Sequence, residues 1–314
     1  MTQENRPQAP LKCAALVGKH HESTGGAGDA TRQASRAALL DVHAFLRELG
    51  LHVLVEAECA QALGLAAAGC AVADMAELGR RADVGVAVGG DGTMLGMARQ
   101  MAPFGTPLIG INQGRLGFIT DIALEHYRHV LPPMLLQGRF ESDTRALLHG
   151  RVMRESEGQF SSVFEALAMN DVVVRHGAAA SMIELEAHAD GRFIARFRAD
   201  GLIVATPTGS TAYSLAVGGP ILHPQLPGWV LAPIAPQALS NRPIVLADPA
   251  EIVIRIVGGP QASASFDTQS VTTLRHGDCI VVRRSPHRAH FLHPEGWSYF
   301  DTLRHKLHWN QGAV

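Results

Sequence analysis

Four short apolar runs open the chain and alternate with segments of helical spacing. The runs are Cys13 to Gly18, Leu51 to Val55, Val84 to Val88 and Pro107 to Ile111. Between them, Leu39, Val42, Leu46 and Leu49 recur at helical intervals up to Gly50, a helix-ending residue. The Ala-rich stretch from Ala60 to Leu78 reads as mostly helix, and Thr93 to Met101 as another helix. A strand that is apolar without alternation is buried on both faces. Strand-helix alternation of this kind predicts a parallel sheet covered by helices on both sides.

Past about Ser142 the pattern changes. Strand candidates dominate: Val163 to Val174, Met182 to Ala187, Arg192 to Arg198, Gly201 to Ala205, Glu251 to Val257 and Cys279 to Arg283. Gly, Pro and Asp turns separate them, so the second half reads as a β-rich domain. At 314 residues the chain is long enough for two domains. Residues Met1 to about Pro10 read as a frayed end, and Gly25, Gly26 and Gly28 as a loop.

Composition excludes several classes. The 27 Lys+Arg and 29 Asp+Glu leave a net charge of −2, so no basic field points to nucleic acid or anionic membrane. No apolar run approaches the roughly 20 residues of a membrane-spanning helix. The four cysteines show no CxxC spacing and no signal-peptide pattern precedes them, which predicts a reduced, cytoplasmic setting. Sixteen histidines include no HExxH, so no dedicated metal site is expected. The basic cluster Arg283, Arg284, His287, Arg288, His290 lacks interleaved aromatics and reads as a solvated or interface strand.

Four stretches carry chemistry. Val84–Val88 leads into Gly89-Gly90-Asp91-Gly92-Thr93 and then a helix. Such a strand-turn-helix places backbone N–H groups where anions bind, and glycines let a phosphorylated ligand approach. An acid there orients a substrate hydroxyl or takes its proton, against the plainer reading of Asp91 as a helix N-cap. Second, Ile109 to Phe118 follows the next strand, so Gly114, Gly117 and Phe118 belong at the same sheet edge. Third, Asn170-Asp171 interrupts an apolar strand. Neighbours on a strand face opposite ways, so both serve one ligand only at a bulge or strand end. Fourth, Arg198-Ala199-Asp200-Gly201 runs into Thr206-Pro207-Thr208-Gly209-Ser210-Thr211-Ala212-Tyr213, a hydroxyl-rich approach to a helix over Ala212 to Ala216.

Together these blocks resemble the bacterial NAD kinase family, in order and spacing from Leu16 to Trp309. The close, His293-Pro294 through Ser298-Tyr299-Phe300-Asp301-Thr302-Leu303 to Lys306-Leu307, is also similar. The GGDGT turn alone is shared with lipid kinases, which keeps a lipid kinase open as an alternative; a non-catalytic NAD(P) sensor is the other. The resemblance implies an N-terminal Rossmann-like α/β domain (1–142), a β-rich, β-sandwich-like NAD-binding domain (143–287) and a tail (288–314) packing back on the first. It implies transfer of the ATP γ-phosphate to the 2′-hydroxyl of the adenosine ribose of NAD, with Asp91 as general base. Gly89, Gly90 and Gly92 would bring backbone donors to the ATP phosphates, and Thr93 and Phe118 would belong to the binding site. Asn170 would read adenine and Asp171 ribose, with Thr208, Thr211, Ala212, Tyr213 and Ala216 around the nucleotide. Asp200 and Arg198 would approach the nicotinamide, in the family often from a neighbouring subunit. Gln269 falls in Asp267-Thr268-Gln269, where the family commonly has Asp-Gly-Gln. Asp171 stands where many relatives have Glu. Mg²⁺ or another divalent cation would be held mainly through the phosphates. The family's enzymes are homo-oligomers, commonly tetramers built from dimers.

Overall fold

The computed structural model describes residues 11–19, 29–114, 117–177 and 181–309. The expected frayed end up to Pro10, the loop glycines Gly25, Gly26 and Gly28, and Arg115 and Leu116 lie outside them. The chain divides into two compact units, Met1–Thr144 with Ala289–Val314, and Arg145–Arg288.

The first unit opens with β1 (Cys13–Gly18), α1 (Asp29–Glu48), β2 (His52–Glu56), α2 (Ala57–Leu63), β3 (Ala71–Ala73) and α3 (Met75–Arg81). It continues with β4 (Val84–Gly89), α4 (Asp91–Met101), β5 (Leu108–Asn112), β6 (Ile122–Ala123) and α5 (Tyr127–Gln137). The sheet order is β3-β2-β1-β4-β5, parallel throughout, with β6 added parallel to β5. Every residue of β4 and β5 is buried, which is why both read as unbroken apolar runs. Helix α1 presents Leu39, Val42 and Leu46 to this sheet's core, all without solvent exposure.

The Ala-rich stretch departs from expectation. Helix α2 stops at Gly64 in the left-handed region (φ 67), and Gly69 turns the chain again (φ 82). Ala71–Ala73 then pairs with Leu54–Glu56 as a sheet strand. Alanine favours helix by a fraction of a kcal/mol, whereas the edge of β2 offers unpaired backbone groups to fill. Helix α3 restarts after Asp74, whose carboxylate accepts from Glu77 N–H at 2.7 Å.

Strand β7 (Phe140–Ser156) leads into the second unit. There follow β8 (Gln159–Ala168), β9 (Asp171–His176), β10 (Ile183–Ala189), β11 (Arg192–Ala199), β12 (Gly201–Ala205) and the short α6 (Tyr213–Ala216). Next come β13 (Gly228–Ile234), β14 (Ile244–Ala247), β15 (Ile252–Gly258), β16 (Ala262–Phe266) and β17 (Ser270–Leu274). One antiparallel sheet has the order β14-β13-β12-β9-β16-β17. A second pairs β11, β10 and β15 with the start of β18 (Cys279–Pro294). Val172, Val174, Leu202, Val204 and Phe266 from the first share a core with Leu185, Ile254 and Ile280 from the second.

The single strand expected over Val163 to Val174 is two, β8 and β9, broken at Met169-Asn170. The strand expected to stop at Arg283 runs on to Pro294. Its basic cluster lies along that strand, where Arg283 pairs with Glu251 and Arg284 with Asp248 at 2.7 Å. The end of β18 belongs to the first unit, where Phe291 pairs parallel with Leu108. His293 is 1% exposed, its Nδ1 2.8 Å from Asp121 Oδ2, and its ring stacks on Trp297 at 3.9 Å. Helix α7 (Tyr299–Leu307) follows and buries Tyr299 and Leu303. Among the described residues no helix is long and apolar enough to cross a membrane.

Candidate active site

In the first unit the sheet order reverses between β1 and β4. Open α/β sheets bind ligands at this switch point, outside the carboxyl ends of the strands. A cavity of about 430 Å³ lies there. Lys19 enters it from the end of β1, Gly89, Gly90 and Asp91 from the end of β4, and Asn112, Gln113 and Gly114 from the end of β5. Thr93, one turn into α4, is half-buried and Gly92 exposed.

Asp91 is the first residue of α4, and Gly90 occupies the cap position with no side-chain capping bond. The N-cap alternative for Asp91 is therefore corrected. Its carboxylate reaches across to the loop after β5 instead. Oδ1 accepts from Ile119 N–H (3.3 Å), Thr120 N–H (3.2 Å) and Thr120 Oγ1 (2.9 Å), and Oδ2 accepts from Phe118 N–H (2.7 Å). Asn112 Nδ2 donates in turn to Thr120 Oγ1 at 2.7 Å. Phe118 thus holds Asp91 through its backbone; its half-buried ring is not part of the cavity lining. Gly117 is required here, because a Cβ on it would overlap Asp91 Oδ1. A carboxylate offers about four acceptor positions, two per oxygen. Three donors crowd Oδ1 and one reaches Oδ2, so Oδ2 keeps the spare acceptor capacity.

In the second unit three segments are laced together. The strand break at Met169-Asn170 is the interruption that lets Asn170 and Asp171 escape strict alternation. Asp267 takes the N–H groups of Met169 (2.7 Å), Asn170 (2.7 Å) and Asp171 (3.1 Å) on its carboxylate. From the other side Thr206 N–H donates to Asn170 O at 2.9 Å, and Thr206 Oγ1 donates to Met169 O at 2.6 Å. Gly209 sits so close that a Cβ would overlap the Asn170 carbonyl. The backbone of Asn170 is therefore fixed and its amide side chain is left half-buried. Asp171 is 3% exposed. Burial, and secondarily the charge of Asp267, pushes its carboxyl up to about 7.

The remaining expected residues fall around this frame. Thr208 is buried beside Arg145 Nη1 at 3.5 Å. Thr211 and Ala212 are half-buried, and Tyr213 and Ala216 exposed. Asp200 and Tyr213 line a cavity of about 460 Å³ with Arg175, His176, Gly177, Ile234 and Ser263. His176 Nε2 stands 4.0 Å from Asp200 Oδ1. Arg198 lies exposed on β11, one residue before that strand ends, and is not part of the cavity lining. Gln269 is exposed in the turn between β16 and β17. Sequence reasoning missed Lys19, Gln113 and Lys306 in the first cavity and Arg175, His176 and Ser263 in the second. The position of Lys19 just past an apolar strand was a usable signal; Lys306 stood in the family-like close, but nothing local tied it to neighbours nearly two hundred residues away.

Family models of the ATP-NAD kinase N-terminal and C-terminal domains match residues 30–140 and 169–294. The chain is 56% identical over 307 residues to an NAD kinase of Polaromonas sp. strain JS666, covering 98% of this chain and 100% of that one. The chain belongs to the NAD kinase family. It is 54% identical to the NAD kinase of Variovorax paradoxus, over 95% of this chain and 97% of that one. Among solved structures, yeast NADH kinase complexed with NADH superposes with a TM-score of 0.83 at 24% identity, covering 98% of this chain and 90% of that one. At that identity the likeness speaks to fold. An NAD kinase from Archaeoglobus fulgidus in complex with ATP gives 0.70 at 25%, covering 94% and 98%. Family membership agrees with the two-part architecture, an α/β unit and a β-sandwich unit.

Proposed function

We propose that the chain transfers the γ-phosphate of ATP to the 2′-hydroxyl of the adenosine ribose of NAD, giving NADP. The observation that carries the reading is Asp91. It is an acid held by four donors at the mouth of a switch-point cavity, with Oδ2 the less occupied oxygen. A ribose hydroxyl is a weak nucleophile, and Oδ2 orients it and receives its proton as the bond to phosphorus forms. The glycine turn and the start of α4 direct backbone N–H groups at the phosphates.

Asn170 takes the adenine edge, since an amide both donates and accepts. Asp171 accepts from ribose hydroxyls, and Thr208, Thr211, Ala212, Tyr213, Ala216 and Gln269 surround the nucleotide. Asp200 and Arg198 meet the nicotinamide side. A divalent cation fits this lining as a passenger on the phosphates. The first cavity holds one carboxylate, Asp91, and among the described residues no three His, Cys, Asp or Glu gather as a metal site. Such an ion would offset the repulsion between Asp91 and phosphate. A homo-oligomer and a cytoplasmic setting are parts of the same reading.

The test incubates the protein with NAD, ATP and Mg²⁺ and detects NADP with an NADP-specific dehydrogenase. Asp91→Asn is expected to lower turnover by roughly 10²–10⁴-fold while NAD affinity stays within about twofold. Turnover retained in Asp91→Asn would reduce Asp91 to an anchor of the 117–120 loop.

A further inference from the structure

The cavity at the head of the first unit holds charge that the reaction so far has not used. The chain has three lysines, Lys12, Lys19 and Lys306, its other basic side chains of this length being arginines. Two of the three, drawn from opposite ends of the chain, line this one cavity. Lys19 follows β1 directly. Its N–H donates to Val88 O at 3.0 Å, and a Cβ placed on Gly89 would lie 3.3 Å from Lys19 Cβ. The base of the Lys19 side chain therefore abuts the glycine turn. Lys306 comes from the last turn of α7. Among the described residues neither ammonium has an ion-pair partner.

Two further observations point the same way. Gln113 Nε2 is buried with no acceptor among the described residues, and its side chain lines the same cavity. A Cβ on Gly90 would meet no atom within 4 Å, so the turn faces open space. Two ammonium groups and a buried amide donor surround that space, against the single carboxylate Asp91. Their common complement is a ligand that is polyanionic and rich in acceptors. A lysine ammonium acts on phosphate as a compact point charge, and an arginine fork can serve the same oxygens bidentately.

We infer that Lys19 and Lys306 clamp the phosphate chain of the nucleoside triphosphate donor. The inference rests on the reading given under Proposed function for the identity of that ligand as the donor. One lysine is fixed by the sheet and the other is delivered by the C-terminal helix, so the donor site is complete only when the chain's last helix is in place.

The test uses the full chain with Lys19→Met and Lys306→Met, each beside its Lys→Arg counterpart, and circular dichroism melts to establish folding. ATP affinity is measured by calorimetry without NAD, with inorganic tripolyphosphate as competitor, and KM for ATP and for NAD by coupled assay. Each Met variant is expected to weaken ATP binding and raise KM for ATP by about 10- to 100-fold, the loss of one charge-assisted contact. KM for NAD should stay within about twofold, tripolyphosphate should compete only where the lysines are present, and arginine should recover most of the affinity. Unchanged ATP affinity in either folded Met variant, with active wild type, overturns the clamp and leaves the proposed reaction standing. Lysine-dependent ATP binding by a wild type that forms no NADP upholds the clamp and defeats the reaction. Should one Met variant fail to fold, its Arg counterpart and the other Met variant decide the matter by the same readings.

Discussion

Two glycines beside Asp91 have opposite reasons for being glycine. Gly90 is extended at φ −114 and ψ −172, a conformation any residue adopts, and no neighbour would touch its Cβ. Neither backbone nor packing requires it, so in the proposed complex its part is to leave room for the donor's phosphates. Gly117 is forced by Asp91, whose Oδ1 a Cβ would overlap. Gly90→Ala should therefore cost at most about 1 kcal/mol, the capping difference between glycine and alanine, while kcat/KM for ATP falls by at least about tenfold. Gly117→Ala should lose turnover and about 1–3 kcal/mol of stability together, through overpacking. Thermal melts beside coupled assays separate the two; equal losses of stability would erase the distinction. Asp171 makes the second prediction at this scale. Its carboxyl is raised to about 7 by burial and Asp267, so between the unfolded value near 4 and about 7 the folded chain binds more protons than the unfolded one. Stability is thus highest below the unfolded pKa and falls as pH rises through about 7. Asp171→Asn should flatten that slope in denaturant titrations at pH 5 and 8. In the proposed complex the ribose hydroxyls donate to the ionised form, so KM for NAD should fall as pH rises through about 7, and the Asn variant should lose that trend.

The turn between β16 and β17 shows how one element serves another. Asp267 and Thr268 both lie in the left-handed region, at φ 50 and 60. That geometry aims the Asp267 carboxylate at the three N–H groups of Met169, Asn170 and Asp171. Thr268 is β-branched and has no evident claim on such a conformation beyond its Oγ1 donating to Asp267 O at 2.6 Å. A left-handed non-glycine residue costs about 1–2 kcal/mol, and glycine returns about 0.5–1 of that as unfolded-chain entropy. Thr268→Gly should raise stability by about 0.5–1 kcal/mol in urea unfolding. A lower midpoint would mean that the threonine side chain holds the turn by contacts that outweigh its strain. The same elements mark what was legible in the sequence. Strands β4 and β5, buried on both faces, announced themselves as apolar runs, and the GGDGT turn followed from β4. The role of Asp267 did not, because its three partners lie nearly a hundred residues earlier and only the pairing of β16 with β9 brings them together. Strand β3 was hidden for a different reason: its alanines carry helical propensity, and a neighbouring strand overrode it.

At the scale of the whole molecule the first unit is discontinuous, closed by residues that follow the second. Local periodicity has no access to that return, which explains why a strand read as ending at Arg283 continues to Pro294 and why Lys306, though quoted in the family-like close, was not placed beside the glycine turn. The return is tied by Phe291 on Leu108, by His293 against Asp121, by the ion pair of Arg139 with Glu295, and by buried Leu292, Tyr299 and Leu303. Four buried apolar side chains at about 1.5–3 kcal/mol each rival the 5–15 kcal/mol that stabilises an ordinary domain. The second unit holds its core of β9, β12, β15 and β16 within one contiguous stretch of chain. A chain ending at Arg288 should therefore damage the two units unequally. In hydrogen exchange, the amides of β4 and β5 should lose protection by orders of magnitude, while those of β9, β12 and β16 keep theirs. Protection retained throughout β4 and β5 would show that the parallel sheet stands without its returning segment, and uniform loss in both units would show that they unfold as one cooperative body.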